Sequence, residues 1–202
     1  MTEFAHKFVE GDPAAPVLLL LHGTGGGPDD LLGVAAELSP ASAVLAPAGQ
    51  VSEHGAARWF RRLAEGVFDY KDVVMRANQL ADFVLEARET YGLADRRLVA
   101  VGFSNGANIG AALTLLRPDV VREAALFAAM SPVLDPPAAD LAGTRVFLSN
   151  GERDAMAPLD STEQLVTALR NRSAGVTIHR HPGGHQLTLD ALSSAKSWFA
   201  AY

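Results

Sequence analysis

Gly102-Phe103-Ser104-Asn105-Gly106 follows the apolar run Leu98-Val99-Ala100-Val101 and precedes an Ala/Gly/Leu-rich stretch. A serine between a strand and a helix sits at the tip of a sharp turn, its hydroxyl outward. Glycine on either side relieves the crowding that such a turn creates. Serine is a poor nucleophile at neutral pH, so chemistry here needs a base and an orienting acid within reach.

Six histidines compete for the role of base. His6 belongs to a predicted edge strand, and His54 lies in an irregular stretch. His179 and His181 alternate with Arg180, which puts them on one face of a strand. His22 precedes a turn and is better suited to bracing it. His185 alone follows a strand end in a flexible loop, Pro182-Gly183-Gly184-His185. In an open α/β sheet that carboxyl edge is where sites gather, so His185 is the expected base. The alternative is an ordinary surface-loop histidine.

The expected acid is Asp154, which follows Val146-Phe-Leu-Ser149-Asn150-Gly151-Glu152-Arg153 at another strand end. Glu152 is the local rival, Asp135 and Asp140 lie in the preceding proline-rich loop, and Asp154 could instead cap a helix. Charge developing on an acyl oxygen calls for backbone N–H donors. The N–H of Asn105 supplies one, and the Gly-rich loop His22-Gly23-Thr24-Gly25-Gly26-Gly27 supplies another, assigned to Thr24.

Rival uses of these residues fit less well. Pro28 occupies the place of the third glycine in a dinucleotide-binding loop, and no acid ends the next strand to hold a ribose. No lysine follows for a phosphate-cradling loop. His179-x-His181 lacks a third ligand, so no metal is expected. Arg58, Arg61 and Arg62 could meet an anionic substrate group, but surface pairing with Glu65, Asp69 and Asp72 is the expected use.

The elements that must position this chemistry alternate β and α, the pattern of a mostly parallel sheet with helices on both faces. Expected strands are Val17-Leu21, Ala43-Ala46, Leu98-Phe103, Ala124-Met130, Val146-Ser149 and Val176-His181, with Phe4-Val9 as an antiparallel edge. Helices are predicted from Gly27-Pro28-Asp29-Asp30, over Asp72–Tyr91 with Gly92 as its stop, and over Asn105–Leu116. Two more follow, from a capping box at Asp160-Ser-Thr-Glu163 to Arg172 and over Leu187–Ala201. Ala48–Lys71 has weak periodicity and suits a functional loop. Its Trp59, Phe60 and Phe68 could line an acyl pocket or pack the loop down, and Met130 and Met156 could line the same pocket or fill the core.

Composition narrows the classes further. The 202 residues suit one domain over 1–202, and a net charge of −6 with both signs interspersed makes nucleic acid an unsuitable partner. There is no cysteine, so disulfides and a thiol nucleophile are excluded and a reducing, cytoplasmic setting is expected. The first apolar run, Val17-Leu21, is too short for a leader or a membrane span. The oligomeric state is open, a homodimer included.

Four ordered blocks make the sequence resemble the α/β-hydrolase superfamily and, within it, the phospholipase/carboxylesterase family. They are Leu20-Leu-His22-Gly23-Thr24-Gly-Gly, Gly102-Phe-Ser104-Asn105-Gly106-Ala-Asn, Gly151-Glu-Arg-Asp154 with Pro158, and Gly183-Gly184-His185. The resemblance implies a Ser104–Asp154–His185 triad, an oxyanion hole from the Thr24 and Asn105 backbone, and esterase or thioesterase activity without a cofactor. Dienelactone hydrolases are similar but use a cysteine nucleophile. Family members often carry glutamine where this chain has Asn105. The expected function is hydrolysis of small to medium carboxylic esters. Thioesterase or lysophospholipase activity is the alternative within the class, and a non-catalytic binding protein the alternative outside it.

Overall fold

A computed structural model describes residues 4–201. Its seven-stranded sheet contains β1 (His6–Val9), β2 (Val17–Leu21), β3 (Ala43–Pro47), β8 (Leu98–Phe103), β9 (Glu123–Phe127), β10 (Arg145–Gly151) and β11 (Gly175–His181). Between β3 and β8 the chain forms two small hairpins, β4 (Val51–Glu53) with β5 (Ala56–Arg58) and β6 (Arg62–Ala64) with β7 (Val67–Phe68). The helices are α1 (Leu32–Leu38), α2 (Tyr70–Thr90), α3 (Asn105–Leu116), α4 (Leu159–Arg170) and α5 (Leu189–Ala200).

Spatial order in the sheet is β1-β3-β2-β8-β9-β10-β11, parallel except for the antiparallel edge strand β1. The chain steps outward from β2 to β3, then crosses back over β2 to β8 and continues the other way. Right-handed crossovers therefore place α1 on one face and α2, α3 and α4 on the other. The reversal lies between β2 and β8, where the loops after both strands splay apart and leave a crevice. Those loops carry Thr24 and Ser104.

Burial on both faces explains the unbroken apolar strands. In β2, Leu18 and Leu20 pack with Leu31, Ala35 and Leu38 near α1 and with Ala191, Ala195 and Phe199 of α5. Val17, Leu19 and Leu21 face the other way, toward Leu80 and Val84 of α2, Ile109 and Leu113 of α3 and Leu165 of α4. A fully buried leucine contributes about 2 kcal/mol, so both layers hold the strand that carries the Gly-rich loop.

Several boundaries differ from the sequence expectation. Residues 28–31 form turns and α1 starts only at Leu32, without a side-chain cap. Asp69 caps α2, so the helix begins two residues before Asp72, and Gly92 ends it with φ of 65°. No capping box forms at Asp160: Pro158 takes the N-cap place of α4, and the Ser161 hydroxyl accepts from the Ser131 N–H instead. Strand β9 stops at Phe127 because Ala128 turns to a φ of 57°. The segment expected to be irregular is organised by its two hairpins. It is the longest insertion above the carboxyl edge, so no large cap covers that edge.

Candidate active site

Ser104 joins β8 to α3 with φ of 54° and ψ of −119°, a strained conformation that turns its side chain out of the sheet. Its N–H donates to the Phe127 carbonyl on β9 at 2.9 Å, which pins the turn. The flanking glycines permit the approach of α3 to the sheet. A Cβ at Gly106 would stand 1.9 Å from the Leu21 carbonyl oxygen, and one at Gly102 would stand 2.6 Å from that of Gly106.

Three loops bring further groups to this turn. His185 Nε2 lies 2.8 Å from Ser104 Oγ, and His185 Nδ1 lies 2.8 Å from Asp154 Oδ2. An ionised carboxylate only accepts, so the proton sits on Nδ1 and leaves the Nε2 lone pair to accept from the serine hydroxyl. Asp154 is 5 % exposed, and its other oxygen accepts from the N–H groups of Met156 and Ala157, each at 2.9 Å. Its orientation is thus fixed from two sides. Glu152, the rival acid, points to solvent. Gly151 explains how the two loops meet: a Cβ there would stand 2.4 Å from the Gly184 carbonyl oxygen.

Asn105 is the first residue of α3, so its N–H is one of those a helix leaves without an i−4 carbonyl. Thr24 faces the same cleft from the loop after β2. Consecutive residues at the end of β5 hold both. Arg58 Nη1 donates to Thr24 Oγ1 at 2.9 Å, and the Trp59 N–H donates to Asn105 Oδ1 at 2.8 Å. Trp59 Nε1 also donates to the His22 carbonyl, and Gly25 N–H to that of Ala57, both at 2.8 Å.

His22 completes this bracing. Its Nδ1 lies 2.7 Å from the Gly23 carbonyl and its Nε2 accepts from the Gly49 N–H at 2.9 Å, which fixes the Nδ1–H tautomer. Burial, only partly offset by the bond to Gly23, depresses its pKa and favours that neutral form. His179 bridges Ser149 and Asp190 away from Ser104, while His181 is buried and accepts from the Gly183 N–H.

The cleft beside Ser104 is narrow, about 40 Å³, and its apolar lining comprises Phe68, Ala128, Met130, Met156 and Ala157. Trp59 and Phe60, two candidates for that lining, are instead buried beneath it: Trp59 packs on His22 and Phe60 on Phe68. Arg58 corrects a second expectation. It is not at the surface but is 4 % exposed, lines the cleft and pairs with Glu53 at 3.4 Å, whereas Arg61 pairs with Asp69 and Arg62 with Glu53 and Glu65. Asn108 was missed by the sequence reading. It stands one helical turn past Ser104 among small residues, and its Oδ1 accepts from the Met130 N–H at 2.8 Å.

Comparisons with known proteins agree with this architecture. The chain is 42 % identical over 183 residues to MhqD of Bacillus subtilis (strain 168), a protein named as a hydrolase by assignment, covering 91 % of this chain and 92 % of that one. The Bacillus cereus carboxylesterase structure superposes with a TM-score of 0.95 at 41 % identity, covering 98 % of this chain and 94 % of that one. A carboxylesterase from Mesorhizobium loti gives 0.91 at 30 % identity, with 98 % and 95 % covered. Among the described residues no helix is long and apolar enough to cross a membrane. The phospholipase/carboxylesterase family pattern matches residues 6–201, so this chain belongs to that family and is a carboxylesterase-type hydrolase of α/β-hydrolase fold.

Proposed function

We propose that the chain is a serine esterase in which Ser104 is the nucleophile, His185 the general base and then acid, and Asp154 the orienting carboxylate. The observation that carries this reading is the unbroken relay Ser104 Oγ–His185 Nε2–Asp154 Oδ2, each link 2.8 Å. As Oγ bonds to the acyl carbon, its proton passes to Nε2, and Asp154 stabilises the imidazolium that forms. Collapse of the tetrahedral intermediate expels the alcohol, which takes the proton from Nε2. Water then attacks the acyl-enzyme by the same steps and releases the acid. The reaction balances with water alone.

The N–H groups of Asn105 and Thr24 are assigned to the developing oxyanion. The bracing by Arg58 and Trp59 supports this, because such donors stabilise charge only when held in place beforehand. A narrow cleft with methionine and alanine walls favours small to medium acyl groups. The reading takes residues 1–202 as one cytoplasmic hydrolase domain whose partner is a small-molecule ester.

A fluorophosphonate probe should label the protein at Ser104, located by peptide mass, and Ser104→Ala should remain unlabelled. An unlabelled native protein would favour a binding role on the same fold. Faster turnover of acyl-thioesters than of matched nitrophenyl esters would move the assignment to a thioesterase.

The contact between the acid and base loops gives a further expectation. Gly151→Ala forces the Asp154 turn back from residues 183–184, and a misplacement of about 1 Å costs roughly 100-fold in turnover. Ester hydrolysis together with far-ultraviolet circular dichroism checks this: kcat should fall while the spectrum stays native.

A further inference from the structure

The ionisable residues lining the cleft are Arg58, Arg62, Glu65 and His185. Arg62 is bound to Glu65 and to Glu53, and His185 is held between Ser104 and Asp154. Arg58 has the longer and shared ion pair. Its Nη1 donates to the neutral Thr24 hydroxyl and its Nε donates to the Phe60 carbonyl at 3.3 Å. Its nearest carboxylate, Glu53, stands 3.4 Å from Nη1 and accepts its closer bond, at 2.9 Å, from Arg62 Nε. Glu53 does not line the cleft. A guanidinium cannot shed its charge, and a buried one that must share its carboxylate with a second arginine is left short of negative charge. Desolvation and then the neighbouring Arg62 charge pull its pKa down, only partly offset by Glu53 and Glu65.

We propose that Arg58 forms an anion subsite, so that the preferred substrates are esters whose short acyl portion carries a second, ionised carboxylate. This rests on the serine-esterase reading and adds the substrate class to it. Position selects the acyl side. The leaving oxygen must face His185 Nε2 to receive its proton, and the acyl carbonyl lies between the N–H groups of Thr24 and Asn105. Arg58, fastened to Thr24, is then within reach of the acyl chain. A bidentate guanidinium–carboxylate pair in this sheltered site would orient the carbonyl as well as bind it.

The test compares monoethyl succinate with ethyl 4-methylpentanoate, its uncharged isostere, by ethanol release. The native enzyme should favour the charged ester in kcat/KM by about 10-fold or more, the worth of a hydrogen bond to a charged group. Arg58→Gln should lower both rates, because Thr24 loses its brace, but should bring their ratio to about 1 or below. Arg58→Lys should recover part of the ratio. A purely structural Arg58 would leave the ratio unchanged, and that result, or a native ratio at or below 1, overturns the proposal.

Should Arg58→Gln fail to fold, the native enzyme supplies the readout. Succinate should slow fluorophosphonate labelling of Ser104, and 4-methylpentanamide should not. Equal protection by the two overturns the subsite. Labelling with no charge preference refutes the subsite alone, whereas absence of labelling refutes the esterase reading beneath it.

Discussion

Ser104→Ala is expected to lower kcat/KM for a small ester by roughly 10⁴–10⁶, with thermal unfolding essentially unchanged. Alanine removes one atom from the cleft side of the turn and nothing from the core. The Ser104 N–H bond to Phe127 and both flanking glycines remain, so stability has no reason to fall. His185→Ala should cost a similar factor, because a neutral hydroxyl cannot attack without passing its proton to Nε2. The double variant should be little worse than either single one, since both act in one step. Asp154→Asn should be milder but still severe. One carboxylate oxygen accepts from two N–H groups and the other from His185, so an amide must present its NH₂ to one of these donors. If its oxygen stays with the N–H groups of Met156 and Ala157, the NH₂ faces Nδ1 and drives the imidazole into the wrong tautomer. Glu152→Gln, at an exposed position, should change little. Esterase kinetics on purified variants with matched melting temperatures distinguish these cases. A neutral Asp154→Asn beside a damaging Glu152→Gln would refute the assignment of the acid.

The parts of this architecture that local chemistry dictates were legible from the chain. Val17–Leu21 and Leu98–Phe103 read as buried parallel strands because every position is apolar, and they lie side by side in the sheet. Turns that demand glycine identified the Ser104 corner and the loop before His185. What escaped was set by partners distant in sequence. Trp59 and Phe60 look like pocket walls until His22, Asn105 and Phe68 are seen to claim them. Arg58 looks like any surface arginine in a run of charges, yet the hairpin buries it against Thr24 with Glu53 3.4 Å away, whereas Arg61 and Arg62 pair nearer the surface. The β4–β5 and β6–β7 hairpins are too short for alternation to register as a period. At α4 the Asp-Ser-Thr-Glu pattern suggested a cap, but proline's preset backbone at 158 opened the helix first and freed Ser161 to bond Ser131.

Gly106→Ala carries the second large expectation, and it acts through packing before chemistry. The added methyl would lie 1.9 Å from the Leu21 carbonyl oxygen, 2.4 Å from its carbon and 2.5 Å from the His22 oxygen. All three atoms are main chain, at the end of a strand buried on both faces, so no side chain can swing aside. Either α3 lifts from the sheet or β2 shifts in its ladder with β8. Lifting α3 opens contacts around Ile109 and Leu113, both fully buried. Overpacking of this kind should cost about 3 kcal/mol, which in a chain of this size lowers the melting temperature by roughly 6–12 °C. The same movement separates the Asn105 N–H from Thr24, because one rides on α3 and the other follows β2. Activity should therefore fall further than stability does, by about 100-fold or more even at temperatures where the variant is folded. Calorimetry and kinetics on one preparation separate the two effects. A variant with a native melting temperature and native turnover would show that the close approach of α3 to Leu21 does not set the geometry at Ser104.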